Sequence, residues 1–253
     1  MGELINIIIP VYNESEMIGS TLSEIKDKIK AEHIISIVYD FEEDNTLPAV
    51  EKFCEENKAK NIRVIKNKYG RGALNAIRSG FENIDQGMAL IVMADFSDDL
   101  AAVDGMLSKI AEGYDIVCGS RYMRGGRQEG GPKFKKFLSC AAGKTLHYLI
   151  RIPTHDVTNS FKIYTKDVLT AIKIESNGGF ELGMEIVIKA FLNGYRITEV
   201  PVFWRDREAG ESRFKLWLWL PKYIWWYVYA VSRVWLGRKK DPKRKEGILC
   251  KNG

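Results

Sequence analysis

The sequence predicts an α/β fold: an open sheet flanked by helices. Three observations carry this. Short apolar runs alternate with stretches of helical length over residues 4–119, each run ends in a polar turn-forming motif, and no internal repeat is visible. Sheets of this kind bind ligands at the carboxyl ends of their strands, so the residues that follow each strand are the candidate site.

Residues 4–10 form an apolar run broken only by Asn6, the pattern of a parallel strand buried on both faces. Residues 14–30 read as the helix that follows. Residues 34–41 and 47–57 give a second strand and helix, and residues 62–66 a third strand. A Gly-rich turn then leads into a helix over 72–83. Residues 88–94 are a fourth strand, 99–111 its helix and 114–119 a fifth strand. The five strand-end motifs are Pro10-Val-Tyr12-Asn-Glu14, Asp40-Phe-Glu-Glu-Asp44-Asn-Thr46, Asn67-Lys-Tyr-Gly70-Arg-Gly72, Asp95-Phe-Ser97-Asp98-Asp99 and Gly119-Ser-Arg121-Tyr122. No GxGxxG follows the first strand and no GxxxxGK[ST] exists, which disfavours a dinucleotide site and excludes a P-loop.

The second half is less regular. Residues 124–132 are a Gly-rich loop holding Arg124 and Arg127, and residues 133–151 read as a helix. Asp156-Val-Thr-Asn-Ser-Phe161 leads into a short strand. A helix runs from about 178 to 192, and residues 194–203 form a strand. A charged loop over 205–213 precedes an aromatic segment.

Five of the six tryptophans fall in residues 217–235. Pro221 suits the first turn of a helix reaching about Leu236. Such a helix is roughly 22 Å long, short of the ~30 Å hydrocarbon core. Lys222, Trp226, Tyr229 and Arg233 share one stripe; Ile224, Val228, Val231, Val234 and Trp235 lie on the other side. The segment suits an in-plane membrane anchor, and a core or oligomer-contact helix is the alternative. A true span would need one helix over 217–236 despite Pro221.

Charge supports the membrane reading. The chain carries +5, and residues 237–253 hold seven Lys or Arg against two acids, so the excess sits in a tail rather than on the fold. That argues against a nucleic-acid surface and suits a solvated terminus or an anionic bilayer. A hydrophobic fraction of 45% excludes wholesale disorder. Cys54, Cys118, Cys140 and Cys250 form no CxxC pair and only three histidines exist, so a structural zinc site is not expected. The first three cysteines read as reduced core residues of a cytosolic protein, and Cys250 lacks a prenylation context. The N-terminus has no basic stretch and reads as no signal peptide.

In order along the chain, Pro10-Val-Tyr-Asn-Glu14, Asn67 through Gly80, Gly119-Ser-Arg-Tyr122, Asp156-Val-Thr-Asn-Ser-Phe161 and Glu199 through Arg213 resemble the family 2 glycosyltransferases of GT-A fold, which implies a Rossmann-like open mixed sheet flanked by helices. Within that family they resemble the polyprenyl-phosphate branch. Three positions depart. The usual Asp-Asp-Gly-Ser after strand two is Tyr39-Asp40-Phe41-Glu42, the first acid of Asp-x-Asp is Met93, and the closing lysine of Gly-x-Ser-Lys is Arg213.

The resemblance implies inverting transfer of one sugar from a nucleotide sugar, GDP-mannose or a UDP-hexose, to a polyprenyl phosphate at the cytoplasmic membrane face. It implies three segments: a catalytic domain over 1–213, a membrane-interface helix over 214–236 and a basic tail over 237–253. Pro10, Tyr12, Glu14 and Asp40 are implied at the nucleoside, and Arg207 and Arg213 at the diphosphate. A diphosphate leaving group needs charge neutralisation, usually from Mg²⁺ or Mn²⁺ on carboxylates. Asp95, ending a buried strand, is the best candidate ligand, and Ser97 is implied beside it, with Asp98 a competitor. The alternative for Asp95 is a helix N-cap. With Met93 in place of an acid, the metal should bind mainly through the donor's phosphates.

Arg121, Lys135 and Ser139 match the family's acceptor-phosphate residues, with Arg127 a neighbour. Asp95, Arg121 and Arg207 are thus the catalytic set. A phosphate acceptor is already ionised and needs no general base, whereas a glycan hydroxyl would call on Glu181 or Glu185. A decayed nucleotide-binding scaffold is the third reading, and self-association through the aromatic helix is a further expectation.

Overall fold

The structure, a computed structural model, describes residues 4–206 and 216–237. Arg207, Arg213 and the basic tail lie outside these residues.

Seven strands form one sheet: β1 (Ile5–Pro10), β2 (His33–Tyr39), β3 (Ile62–Lys66), β4 (Met88–Ile91), β5 (Ile116–Ser120), β7 (Lys162–Thr165) and β8 (Ile197–Pro201). Their order is β3-β2-β1-β4-β7-β5-β8, with β7 antiparallel to both of its neighbours. Alternation along β1 sorts the core into two layers. Ile5, Ile7 and Ile9 face α1 (Ile18–Lys28), α2 (Thr46–Asn57) and α4 (Val103–Ala111). Ile8 faces α3 (Ala73–Glu82), α5 (Lys133–Ile150) and α7 (Leu182–Leu192). The short α6 (Lys166–Ala171) follows β7. The open mixed sheet between helical layers is the expected architecture.

Several boundaries differ, each for a local reason. The first helix starts at Ile18 rather than 14 because Asn13 adopts a left-handed φ of 53° and the Glu14 amide is held by Thr46 Oγ1 at 2.9 Å. The fourth strand stops at Ile91, and a 3₁₀ turn at Leu100–Ala102 precedes α4. The expected strand over 194–203 divides at Val202, whose N–H donates to Ser120 and whose carbonyl accepts from Arg127. The chain thereby leaves the main sheet, and β9 (Phe203–Arg205) pairs in parallel with β6 (Arg127–Glu129), inside what reads as a loop. Of the three described cysteines Cys118 is buried and Cys54 packs partly buried against the core, whereas Cys140 is not the core residue expected.

The aromatic helix α8 (Leu216–Trp235) begins five residues before Pro221, which sits inside it. Among the described residues no helix is long and apolar enough to cross a membrane. One side of α8 is built into the core through Trp226, 5% exposed, and Ala230, lying on α5 and α7. Trp226 Nε1 donates to Ser176 Oγ at 3.0 Å, and the Lys189 ammonium lies 5.0 Å from its ring. The opposite side exposes Trp217 (75%), Leu218, Ile224, Trp225 (65%), Val228 and Trp235.

Helix α5 enters the core only through its second half, at Gly143, Leu146 and Ile150. A Cβ at Gly143 would stand 2.0 Å from the His155 carbonyl oxygen. Gly143→Ala should therefore push the 152–156 segment off the helix and cost about 2 kcal/mol or more in urea unfolding; an unchanged midpoint would show that the two separate freely.

Candidate active site

The carboxyl ends of β1 to β4 meet in one region. After β1, the Asn13 N–H donates to Asp44 Oδ1 at 3.0 Å, and Thr46 both accepts from the Glu14 N–H and donates to Asp44. The two turns are thus fastened together through a buried Asp44. After β2, Asp40 accepts from Asn67 Nδ2 at 2.7 Å and from the Gly72 N–H at 2.8 Å, which draws the Gly-rich turn onto it. Gly70 and Gly72 make that approach at φ values of 86° and 125°, a region that favours glycine. Phe41 meets Tyr12 edge to face at 5.2 Å and carries the Arg71 guanidinium 4.9 Å above its ring.

After β4, Asp95 Oδ1 accepts from Ser97 Oγ at 2.6 Å and from the Ser97 N–H at 3.3 Å, around Phe96 at φ 61°. None of Asp95, Ser97 and Asp98 caps α4, so the alternative of an N-cap for Asp95 is not what forms. Asp98 is buried, accepts from the Met93 N–H at 2.8 Å, and does not line the cavity. Burial pushes its carboxyl up to about 7. Among the described residues no cluster of three or more metal-binding side chains forms. Asp95 and Ser97 supply a carboxylate and a hydroxyl, hard oxygen donors that fit Mg²⁺ or Mn²⁺ only where a bound diphosphate supplies further oxygens.

Beyond β5, Arg121 makes a two-pronged ion pair with fully buried Asp156, Nε–Oδ2 2.7 Å and Nη2–Oδ1 3.0 Å. Burial opposes the Arg121 charge, but the carboxylate outweighs it and holds the guanidinium ionised. Burial likewise opposes the Asp156 charge, and Arg121 keeps its pKa below the usual value. Arg121 Nη2 also reaches Ser139 Oγ at 3.1 Å and Thr158 Oγ1 at 3.1 Å, and the Tyr122 hydroxyl lies 2.9 Å from Ser139. Cation and hydroxyls converge as an oxyanion would require.

One cavity of about 1070 Å³ joins these parts. At one end lie Pro10, Tyr12, Glu14, Asp40 and Arg71, in the middle Asp95, Ser97 and Trp204, and beyond them Arg121, Lys135 and Ser139. It continues between α5 and α8 along Leu138, Ala141, Ala142, Leu220, Tyr223, Ile224 and Tyr227. Every expected site residue inside the described residues lines it except Arg127. That guanidinium pairs with Glu129 and lies over the Phe203 ring on the exposed β6, so Arg127 is not brought to the acceptor cluster. Glu181 and Glu185 are buried and occupied. Glu181 accepts from the Gly178 and Gly179 amides, and Glu185 from the Glu175 and Ser176 amides and from Lys189.

Sequence reasoning missed Arg71, Phe41, Asp44, Asp156 and Trp204 as parts of the site. For Arg71 the signal was a cation between two turn glycines, and for Asp156 a carboxylate in a matching motif.

The chain is similar to the dolichol-phosphate mannosyltransferase of Pyrococcus furiosus, 28% identical over 215 residues, covering 83% of this chain and 59% of that protein. It therefore spans less than two thirds of that relative's length. It is 27% identical over 213 residues to the polyprenol monophosphomannose synthase of Mycolicibacterium smegmatis, covering 82% and 79% of the two chains. In fold it is similar to glucosyl-3-phosphoglycerate synthase from Mycobacterium tuberculosis, solved with Mn²⁺, UDP-glucose and phosphoglyceric acid. The TM-score is 0.69 at 13% identity, over 91% of this chain and 80% of that one. The family model for glycosyl transferase family 2 matches residues 6–172, a stretch that runs from β1 past Asp156 and holds the strand-end loops and the Arg121 cluster; the chain belongs to that family.

Proposed function

We propose that this chain transfers a single sugar, with inversion, from a nucleotide sugar to a polyprenyl phosphate at the cytoplasmic face of a membrane. The observation that carries this reading is the continuity of the cavity. It runs from the strand-end loops, past Asp95, to a cluster suited to an oxyanion, and on into an apolar groove between two helices. A lipid phosphate has one end for the cluster and one for the groove.

In this reading Tyr12, Asp40 and Arg71 hold the nucleoside, with Pro10 and Glu14 beside them. Asp95 and Ser97 would hold Mg²⁺ or Mn²⁺, which when bound neutralises charge on the departing diphosphate. Arg121, Lys135 and Ser139 orient the acceptor phosphate. One of its oxygens attacks the anomeric carbon from the side opposite the diphosphate. The new C–O bond forms as the old one breaks, and the electron pair leaves with the diphosphate. The phosphate is ionised near neutral pH and needs no base, which agrees with Glu181 and Glu185 being spent on backbone amides. Arg207 and Arg213 would close on the diphosphate.

The same reading makes residues 1–213 the catalytic domain, 214–236 the interface helix and 237–253 a basic tail near anionic lipid. Trp217, Leu218, Ile224, Trp225 and Val228 on α8, with Phe134 and Phe137 on α5, form the apolar face that would meet the bilayer. Phe134 and Trp217 lie 6.2 Å apart, so the two helices present one surface. Self-association through α8 would use the same face.

The test is incubation of the purified chain with a panel of GDP- and UDP-sugars, Mg²⁺ or Mn²⁺, and polyprenyl phosphate. Metal-dependent formation of a polyprenyl-phosphate sugar is expected. Transfer only to a glycan hydroxyl, or neither transfer nor hydrolysis of any donor, would overturn the reading, the latter in favour of a nucleotide-binding scaffold.

A further inference from the structure

Lys162 is a fully buried lysine at the start of β7, and nothing in the site described above uses it. A buried ammonium is costly unless something in the fold compensates it. Among the described residues no carboxylate forms an ion pair with it. Its Nζ donates instead to two backbone carbonyls, Val157 at 3.3 Å and Asn159. The space around it is closed by Gly183 of α7, whose missing Cβ would lie 3.4 Å from Nζ. Burial lowers the Lys162 pKa, while Cys118 and Asp156 act in the opposite sense.

The two carbonyls belong to the segment that builds the oxyanion cluster. Asp156 holds Arg121, Thr158 meets Ser139 at 2.5 Å, and Asn159 and Ser160 line the cavity. Lys162 itself does not line it. Its ammonium therefore draws two carbonyl oxygens toward a nitrogen behind the loop. Carbonyl oxygens turned toward an anion would repel it. The charge balance points the same way. Arg121 is matched by Asp156 at contact distance, so this pair presents little net charge to a ligand. Among the described residues Lys162 has no carboxylate at contact distance, and Asp156 acts on it across a low-dielectric interior.

We propose that Lys162 is a positioning residue for the acceptor phosphate. It fixes the 157–159 loop with its carbonyls turned back, and it supplies the positive charge that Asp156 cancels on Arg121. The assignment rests on the reading of the cluster as the acceptor-phosphate site.

Two variants test it in the full chain, Lys162→Gln and Lys162→Arg. Gln keeps an N–H donor for the carbonyls and loses the charge; Arg keeps both. Three quantities are measured: acceptor KM with a polyprenyl phosphate, nucleotide Kd by calorimetry, and the thermal midpoint. Lys162→Gln should raise acceptor KM about tenfold or more, with nucleotide Kd within about twofold of wild type. Lys162→Arg should keep acceptor KM within about threefold. A Gln variant with wild-type acceptor KM overturns the assignment. So does one that loses nucleotide binding or stability together with acceptor affinity, since that would mark a packing residue. An Arg variant that folds and binds nucleotide but loses acceptor affinity overturns it too. Failure of the wild-type chain to use any polyprenyl phosphate would strike at the acceptor reading, and it is seen before either variant is made.

Discussion

Asp95→Asn should abolish sugar transfer while the fold and its thermal stability persist. The replacement is isosteric, and its side-chain oxygen still accepts from Ser97 Oγ, which is 2.6 Å from the native carboxylate. Only the charge is removed. Because Met93 stands where the family carries its first acid and Asp98 is buried away from the cavity, this loop has no cavity-lining carboxylate to take over. On the reading that Asp95 holds the metal, kcat should fall by roughly a thousandfold or more, above the usual cost of losing a single oxyanion donor. The checks are a transfer assay across a Mg²⁺ and Mn²⁺ titration and a melting curve. Activity within about threefold of wild type, still metal-dependent, would remove Asp95 from the site.

The second large effect is on membrane binding. Replacing Trp217, Ile224 and Trp225 together by Ser should lower partition onto anionic vesicles by roughly a hundredfold, if each contributes about 1 kcal/mol of interfacial burial. These side chains are exposed, and only Ile224 of the three also lines the α5–α8 groove, so folding and nucleotide binding should be preserved. Deleting 238–253 should remove a different component, one that salt already weakens. Truncation from Trp217 onward is the poorer experiment, because Trp226 and Ala230 are core residues and their loss would open α5 and α7 to water. Unchanged vesicle binding by the triple variant, with a shift in its oligomeric state, would assign the face to a second copy of this chain instead.

Much of the architecture is legible in the residues. The run at β1 is apolar but for Asn6 and does not alternate, and the strand is buried on both faces. The motifs after β1, β2, β3 and β4 mark the cavity because strand direction alone brings their ends together. What was not legible depends on contacts between distant turns. Phe41 acquires a meaning only when Tyr12 and Arg71 arrive beside it. Asn13 gave no sign that a left-handed residue would delay α1 to Ile18. β6 and β9 are three residues each and far apart in sequence, so no local period announces them. In α8 the helical wheel placed Lys222, Trp226, Tyr229 and Arg233 on one stripe, but it does not say which side meets the protein. That is decided by Ser176 and Lys189, which receive Trp226.

The little β6–β9 ribbon has a mechanical meaning. β9 donates from Phe203 N–H to Asp99 and from Arg205 N–H to the Ser97 carbonyl. β6 runs within four residues into α5, whose first turns carry Phe134 and Lys135. The ribbon is therefore a strut between the loop of Asp95 and a helix whose outer side is apolar. A force lifting α5 is delivered to Ser97 through a backbone hydrogen bond and to Asp99 through its carboxylate. Lengthening the chain between Glu129 and Lys133 would put slack into that strut and let the two halves of the cavity drift out of alignment, with every side chain in it unchanged.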